Sequence, residues 1–211
     1  MESTLRAGAD APGLRLIETF ALGSARLDLH RARMAGSAAD LGWGFNEGGF
    51  DTAVLGADPD KGARLRLTLT EQGAFALDQS PLPAAKTPWR LGLAAPRLTS
   101  DDPWLTVKST HRPAYDAARA ALRDDLDEVL LQNERGEVCD GSITTVFFDR
   151  GQGLRTPPLA CGLLPGVLRR EMACAEEVLA TRDLPHVRLW VGNSLRGLIP
   201  AIWADETPEK F

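Results

Sequence analysis

Lys108, in "LTVKSTHRPAYDAAR", ends a short apolar-leaning run of β character. A lysine so placed, once partly desolvated, has a lowered pKa and an amine that is nucleophilic toward an aldehyde. In open water it would be an ordinary surface cation. A second stretch, "LACGLLPGVLRREM" (159–172), carries apolar residues through Pro165-Gly166 straight into a helical pattern. The first turn of a helix presents N–H groups without helical partners and a partial positive charge. Gly166 removes side-chain bulk beside Val167 and Leu168, so a phosphate could approach both amides. Without an anion, the same spacing is a tight strand-to-helix turn with Pro165 near its customary first-turn place.

"GEVCDGSITTVFFD" leads Asp140 and Gly141 into the β-prone run Thr144–Phe148. An acid there is either a carboxylate aimed into a cleft or a turn residue bonded to its own backbone. "HRAR" (30–33) puts Arg33 on the first turn of a helix, and "VGNSLRG" (191–197) puts Asn193 and Ser194 at the end of a strand. Each could hold phosphate oxygens; each could equally be the solvated end of its element.

These residues need elements to hold them. "LRLIETFAL" (14–22) and "ARLDLH" (25–30) alternate like a hairpin across Gly23-Ser24, and "RARMAGSAADLG" (31–42) has helical apolar spacing at Met34, Ala38 and Leu41. "ARLRLTLTE" (63–71) and "AFALDQ" (74–79) flank Gln72-Gly73 as a second hairpin, and "WRLGLAAPRL" (89–98) reads as a strand. The breaker-rich "TSDDP" (99–103) predicts a linker between a smaller, β-rich N-terminal α+β domain, 1–100, and a larger C-terminal α/β domain, 101–211. In the second, a helix (114–124), strands (128–133 and 144–149), a helix (165–183) and a strand (186–193) alternate before a closing segment, 194–204.

A chain of 211 residues, 44% of them hydrophobic, can bury one large core or two small ones. The net charge of −5, with the 24 basic residues scattered, lacks the footprint of a nucleic-acid binder. No apolar run approaches the roughly 20 residues of a membrane span. "MESTLRAGADAPG" has no basic start followed by an apolar stretch, so the cytoplasm is the expected compartment. Cys139, Cys161 and Cys174 are odd in number, widely spaced and without a CxxC or His-rich partner. Buried thiols are expected there, rather than a disulfide framework or a metal site.

Taken in order, the candidate stretches resemble the class IV aminotransferase family, the pyridoxal-phosphate enzymes of fold type IV, with the D-amino acid aminotransferase-like fold. "LIETFALGSARLDLHRARMAGSAADLG" resembles the family's opening, and "VKSTHRPAYDAAR" the segment bearing the cofactor lysine. "NERGEVCDGSITTVFF" is similar to the family's "N..G.v.Eg..sNif", and "TPPLACGLLPGVLRREM" to its phosphate-binding turn. "VGNSLRGLIPA" resembles the closing phosphate-side segment, and the likeness runs from about Ile17 to Pro200. Two positions depart from the pattern: Asp140 stands where Glu is usual, and Thr145 where Asn is.

The resemblance implies pyridoxal 5'-phosphate in a cleft between two domains, close to the interface of a homodimer. Lys108 would bond covalently to the cofactor aldehyde and then move protons. Arg33, the N–H groups of Val167 and Leu168, and Ser194 would hold the phosphate, with Gly166 and Asn193 beside them. Leu164 would pack on the pyridine ring, and Asp140 would keep its nitrogen protonated. Arg112, four residues after the lysine, and "NSLRGLIPA" look more like the aminodeoxychorismate lyase group than the transaminases. The expected reaction is cleavage of 4-amino-4-deoxychorismate to 4-aminobenzoate and pyruvate. Transamination of branched-chain or D-amino acids is the alternative, and a non-catalytic anion-binding relative a third. Arg112 and Tyr115 could reach the substrate, and Arg196 could hold its carboxylate. A solvated Arg112, a core-facing Tyr115 and a surface Arg196 are the structural readings of the same residues.

Overall fold

The computed structural model describes residues 4–204. They form two compact units, one from residues 4–84 and 103–112, the other from 85–102 and 113–204.

The first unit contains α1 (Thr4–Ala7), β1 (Leu16–Ala21), α2 (Leu27–Leu41), α3 (Glu47–Leu55), β2 (Arg64–Leu69) and β3 (Phe75–Ser80). Its sheet is antiparallel in the order β1-β2-β3. Leu65, Leu67 and Leu69 alternate onto one face of β2 and are fully buried, as a strand with one face on a core requires. Against them pack Phe20, Phe50 and the α2 stripe Met34, Ala38 and Leu41. Gly42 ends α2 in the left-handed region at φ 77°, a conformation that costs glycine nothing.

The expected hairpin of 14–22 with 25–30 does not form. Residues 27–30 are the first turn of α2, because His30, Met34, Ser37, Ala38 and Leu41 make one helical buried stripe. The partner of β1 is β2, with Leu16 opposite Leu69 and Ala21 opposite Arg64. The hairpin about Gln72-Gly73 is present as β2–β3.

The second unit contains β4 (Trp89–Leu98), α4 (Pro113–Ala120), β5 (Glu128–Asn133), β6 (Val138–Gly141), β7 (Thr145–Asp149), β8 (Arg155–Thr156), α5 (Val167–Met172), β9 (Ala175–Glu176), β10 (Arg188–Asn193) and β11 (Gly197–Trp203). The sheet order is β10-β11-β4-β5-β6-β7-β8-β9, and β10 also pairs with β7, so six strands close on themselves. Closure removes two exposed edges. β4 and β5 run parallel, joined through α4 as the βαβ crossover that parallel strands need. Trp89, Leu91, Leu130, Val146, Phe148 and Val191 fill the interior.

The helix expected over 165–183 is six residues long. Ala173 ends it at φ 46°, and Ala175 and Glu176 then pair parallel with β8. The boundary expected at residue 100 also moves. The chain crosses between units at 84/85, 102/103 and 112/113, and only the middle crossing lies in "TSDDP". β4 belongs to the second unit because both its hydrogen-bonded neighbours, β5 and β11, lie there. Residues 103–112, Lys108 among them, return to the first unit. No helix among the described residues is long and apolar enough to cross a membrane.

Candidate functional site

Two consecutive residues of β1 anchor the candidates of the first unit. Lys108 O accepts the Ile17 N–H at 2.9 Å, Ser109 bridges to Leu16, and Thr110 N–H donates to Arg15 O at 2.9 Å. These bonds lay the lysine segment along β1 and leave the Lys108 side chain half-buried. Glu18, next to Ile17, takes Arg33 by both arms of its fork: Nε–H to Oε1 at 2.8 Å and Nη2–H to Oε2 at 2.6 Å. His30 Nδ1 lies 2.5 Å from the same Oε2. Burial alone would raise the Glu18 pKa, but the Arg33 charge and hydrogen bonds from His30 and Arg33 outweigh it and hold the carboxyl at about 2. Arg33 is thus a nearly buried cation fixed by a nearly buried anion, 11% and 1% exposed. Arg112 closes the same segment, half-buried, after His111, whose ring centre is 4.7 Å from that of Trp104.

In the second unit, Asp140 is the penultimate residue of β6 and pairs in register with Thr145 at the start of β7. Asp140 is buried, and its Oδ2 accepts the Leu164 N–H at 3.3 Å. Leu164 leads through Pro165 to Gly166, the N-cap of α5, which has no side-chain cap. A Cβ on Gly166 would stand 2.6 Å from Thr145 Oγ1, closer than real Cβ atoms come. The glycine therefore lets the entrance of α5 close onto β7, beside buried Val167 and Leu168. Gly192 does the same for β10, where a Cβ would meet Leu168 Cδ2 and Gly197 O, both at 2.6 Å.

The remaining candidates have other structural roles. Asn193 Oδ1 accepts the N–H groups of Leu195 and Arg196 at 3.1 and 3.0 Å, and its Nδ2 donates to Ile143 O at 3.1 Å. Its side chain thus closes the turn that carries half-buried Ser194. The Arg196 guanidinium lies over the Trp89 ring, 5.1 Å from its centre. Tyr115 is buried on α4, on the face that also buries Ala118.

The structure thus ties Lys108 and Arg33 to one strand of the first unit. In the second it gathers Asp140, Leu164, Gly166, Val167 and Leu168. The reading by residue type overlooked Glu18, His30, Gly192 and Glu128, which is fully buried at the start of β5. One signal was available for the first two: an acid inside an apolar strand, followed by a His and an Arg three residues apart on a helix.

The family profile described as Amino-transferase class IV matches residues 18–202. A Schizosaccharomyces pombe protein named "Putative aminodeoxychorismate lyase" is 32% identical over 155 residues, 69% of this chain. The match spans 66% of that protein's length, just under two thirds. Among solved structures, a "Putative amino-acid aminotransferase" from Mesorhizobium loti is 41% identical, with TM-score 0.81, over 90% of this chain and 100% of that one. A 4-amino-4-deoxychorismate lyase from Pseudomonas aeruginosa shares the fold at 22% identity, with TM-score 0.78, over 97% of this chain and 87% of that one.

Proposed function

The chain belongs to the class IV aminotransferase family, enzymes of the pyridoxal-phosphate-dependent type, and on that premise we propose that it cleaves 4-amino-4-deoxychorismate to 4-aminobenzoate and pyruvate. The observation that carries this reading is the 32% identity to the Schizosaccharomyces pombe protein of that name.

Three features support pyridoxal phosphate as the cofactor. Arg33 is pre-oriented by Glu18. Gly166 lets the uncapped entrance of α5 pack directly against the Thr145 hydroxyl of β7, which sets the position of the Val167 and Leu168 amides. Asp140 is a buried carboxylate beside Leu164. When bound, the cofactor supplies an aldehyde that captures an amine and a ring that withdraws electrons from the carbon bearing it. Lys108 Nζ would hold the cofactor and, when released, carry protons. Arg33, the amides of Val167 and Leu168, and Ser194 Oγ would bind the phosphate. Leu164 would pack against the ring, while Asp140 would hold a proton at its nitrogen with the charge of the usual Glu and one methylene less reach. Arg112 is the proposed partner of a substrate carboxylate.

The net reaction is balanced without an oxidant. The C–O bond to the enolpyruvyl group breaks, the ring loses a proton, the three-carbon fragment gains one to become pyruvate, and the ring becomes aromatic. A second reading, transamination of an amino acid, is favoured by the 41% identity to the Mesorhizobium loti protein. In either case we propose a homodimer as the working unit; a monomer in sedimentation equilibrium with cofactor present would refute that.

The test is the visible spectrum of the purified protein with pyridoxal phosphate, before and after borohydride, for wild type and Lys108→Ala. A lysine-dependent band that borohydride fixes is expected, with formation of 4-aminobenzoate from aminodeoxychorismate. Turnover of an amino-acid panel without 4-aminobenzoate would select the transaminase. Absence of the band from the wild type would leave only a non-catalytic relative.

A further inference from the structure

Glu128 is fully buried, and its carboxylate is wrapped by the turn that joins β6 to β7. Oε1 accepts the Val129 N–H at 3.0 Å, the Ser142 N–H at 3.1 Å and the Ser142 hydroxyl at 2.5 Å. Oε2 accepts the Ile143 N–H at 3.1 Å and the Thr144 hydroxyl at 2.9 Å. Arg119 Nη1 lies 3.9 Å from Oε1. Space for this arrangement depends on Gly141, where a Cβ would come within 2.9 Å of Glu128 Oε2.

The turn is fastened on its other side as well. Ile143 O accepts from Asn193 Nδ2, and Asn193 Oδ1 closes the turn that carries Ser194. Asp140 and Thr145 flank the turn as its register pair. A buried carboxylate is costly unless its acceptor sites are filled, and a two-residue or glycine-bearing turn can form without one. What Glu128 adds is rigidity: a planar group with donors on both oxygens fixes three successive residues at once.

We infer that Glu128 is a positioning residue, which sets the Asp140 carboxylate through the β6–β7 turn and the Ser194 turn through Ile143 and Asn193. The inference rests on the reading that Asp140 and Ser194 serve pyridoxal phosphate.

Glu128→Gln tests it. Both carboxylate oxygens accept a backbone N–H, so the amide of Gln must face one of them donor to donor. Leu184→Ala, which truncates another fully buried side chain of the same unit, is the control for general loosening. Under conditions where all proteins are folded by circular dichroism, Glu128→Gln is expected to raise the dissociation constant for pyridoxal phosphate at least tenfold. It should also speed amide exchange in residues 141–145 and 193–197 by a similar factor, with neither change in Leu184→Ala. If Glu128→Gln does not fold, Ser142→Ala, which removes one of the five donors, should show both effects more weakly. Unchanged affinity and exchange in the folded variant would overturn the inference alone. A wild type that binds no pyridoxal phosphate would overturn the functional reading and the inference with it.

Discussion

Glu18 and Arg33 form a two-pronged ion pair, with Arg33 Nε–H on Oε1 at 2.8 Å and Nη2–H on Oε2 at 2.6 Å, and His30 crowds the second oxygen. The pair belongs to the first unit's core, so its protonation is coupled to folding. The folded Glu18 carboxyl titrates at about 2 against an ordinary 4.5. A depressed carboxylate contributes stability above its unfolded pKa and loses it as pH falls through the folded one. The contribution is about 3 kcal/mol. Urea unfolding should show wild type losing that much between pH 4.5 and 2, and Glu18→Gln should have a flatter dependence. Parallel curves for the two proteins would contradict the pairing.

Gly166 has φ −62° and ψ 144°, which alanine adopts readily, so a Gly166→Ala substitution meets only a contact problem. The added Cβ would stand 2.6 Å from Thr145 Oγ1. Forcing α5 and β7 apart should cost about 1–3 kcal/mol of stability and weaken pyridoxal phosphate binding about tenfold, the equivalent of ~1.4 kcal/mol. Adding Thr145→Ala removes the obstructing hydroxyl. Thermal melts and cofactor titrations of the single and double variants should show partial recovery in the double; additive losses would refute the contact argument.

Asp140→Asn retains an oxygen for the Leu164 N–H but loses the charge proposed to keep a proton at the ring nitrogen. Steady-state kinetics should show kcat lower by about a hundredfold, within the usual range for a lost proton-holding group, and KM within severalfold of wild type. A large rise in KM with kcat preserved would assign Asp140 to binding instead.

The cysteines should divide in a thiol titration. Burial, with the neighbouring Cys161 and Asp140, pushes the Cys139 thiol above its usual range, and burial followed by Glu137 pushes Cys161 up to about 12. Cys174 is only partly buried, its pKa also raised by burial. Thiolate is the reactive form. At pH 8, a disulfide reagent should label Cys174 alone in the folded protein and all three thiols in guanidinium. Fast labelling of Cys139 or Cys161 would show that the β6 region opens.

Elements that depend on neighbours along the chain are legible in local pattern. Alternation in residues 63–79 and the turn at Gln72-Gly73 gave β2 and β3, and the spacing of Met34, Ala38 and Leu41 gave the greater part of α2. The sequence also supplied the chemical inventory: a lysine, an arginine, a carboxylate and a glycine-led helix in an order that one family shares. Contacts between residues distant in sequence set the rest. The alternating 25–30 could have paired with β1, but residues 27–30 join the helix whose buried stripe runs from His30 to Leu41, and β1 pairs with β2 instead. Lys108 followed β1 into the first unit through backbone bonds that no local pattern encodes. Glu18 and Glu128 read as surface acids until the fold buries them, because a charge is tolerated inside only where remote donors converge on it: His30 and Arg33 for one, residues 142–144 for the other.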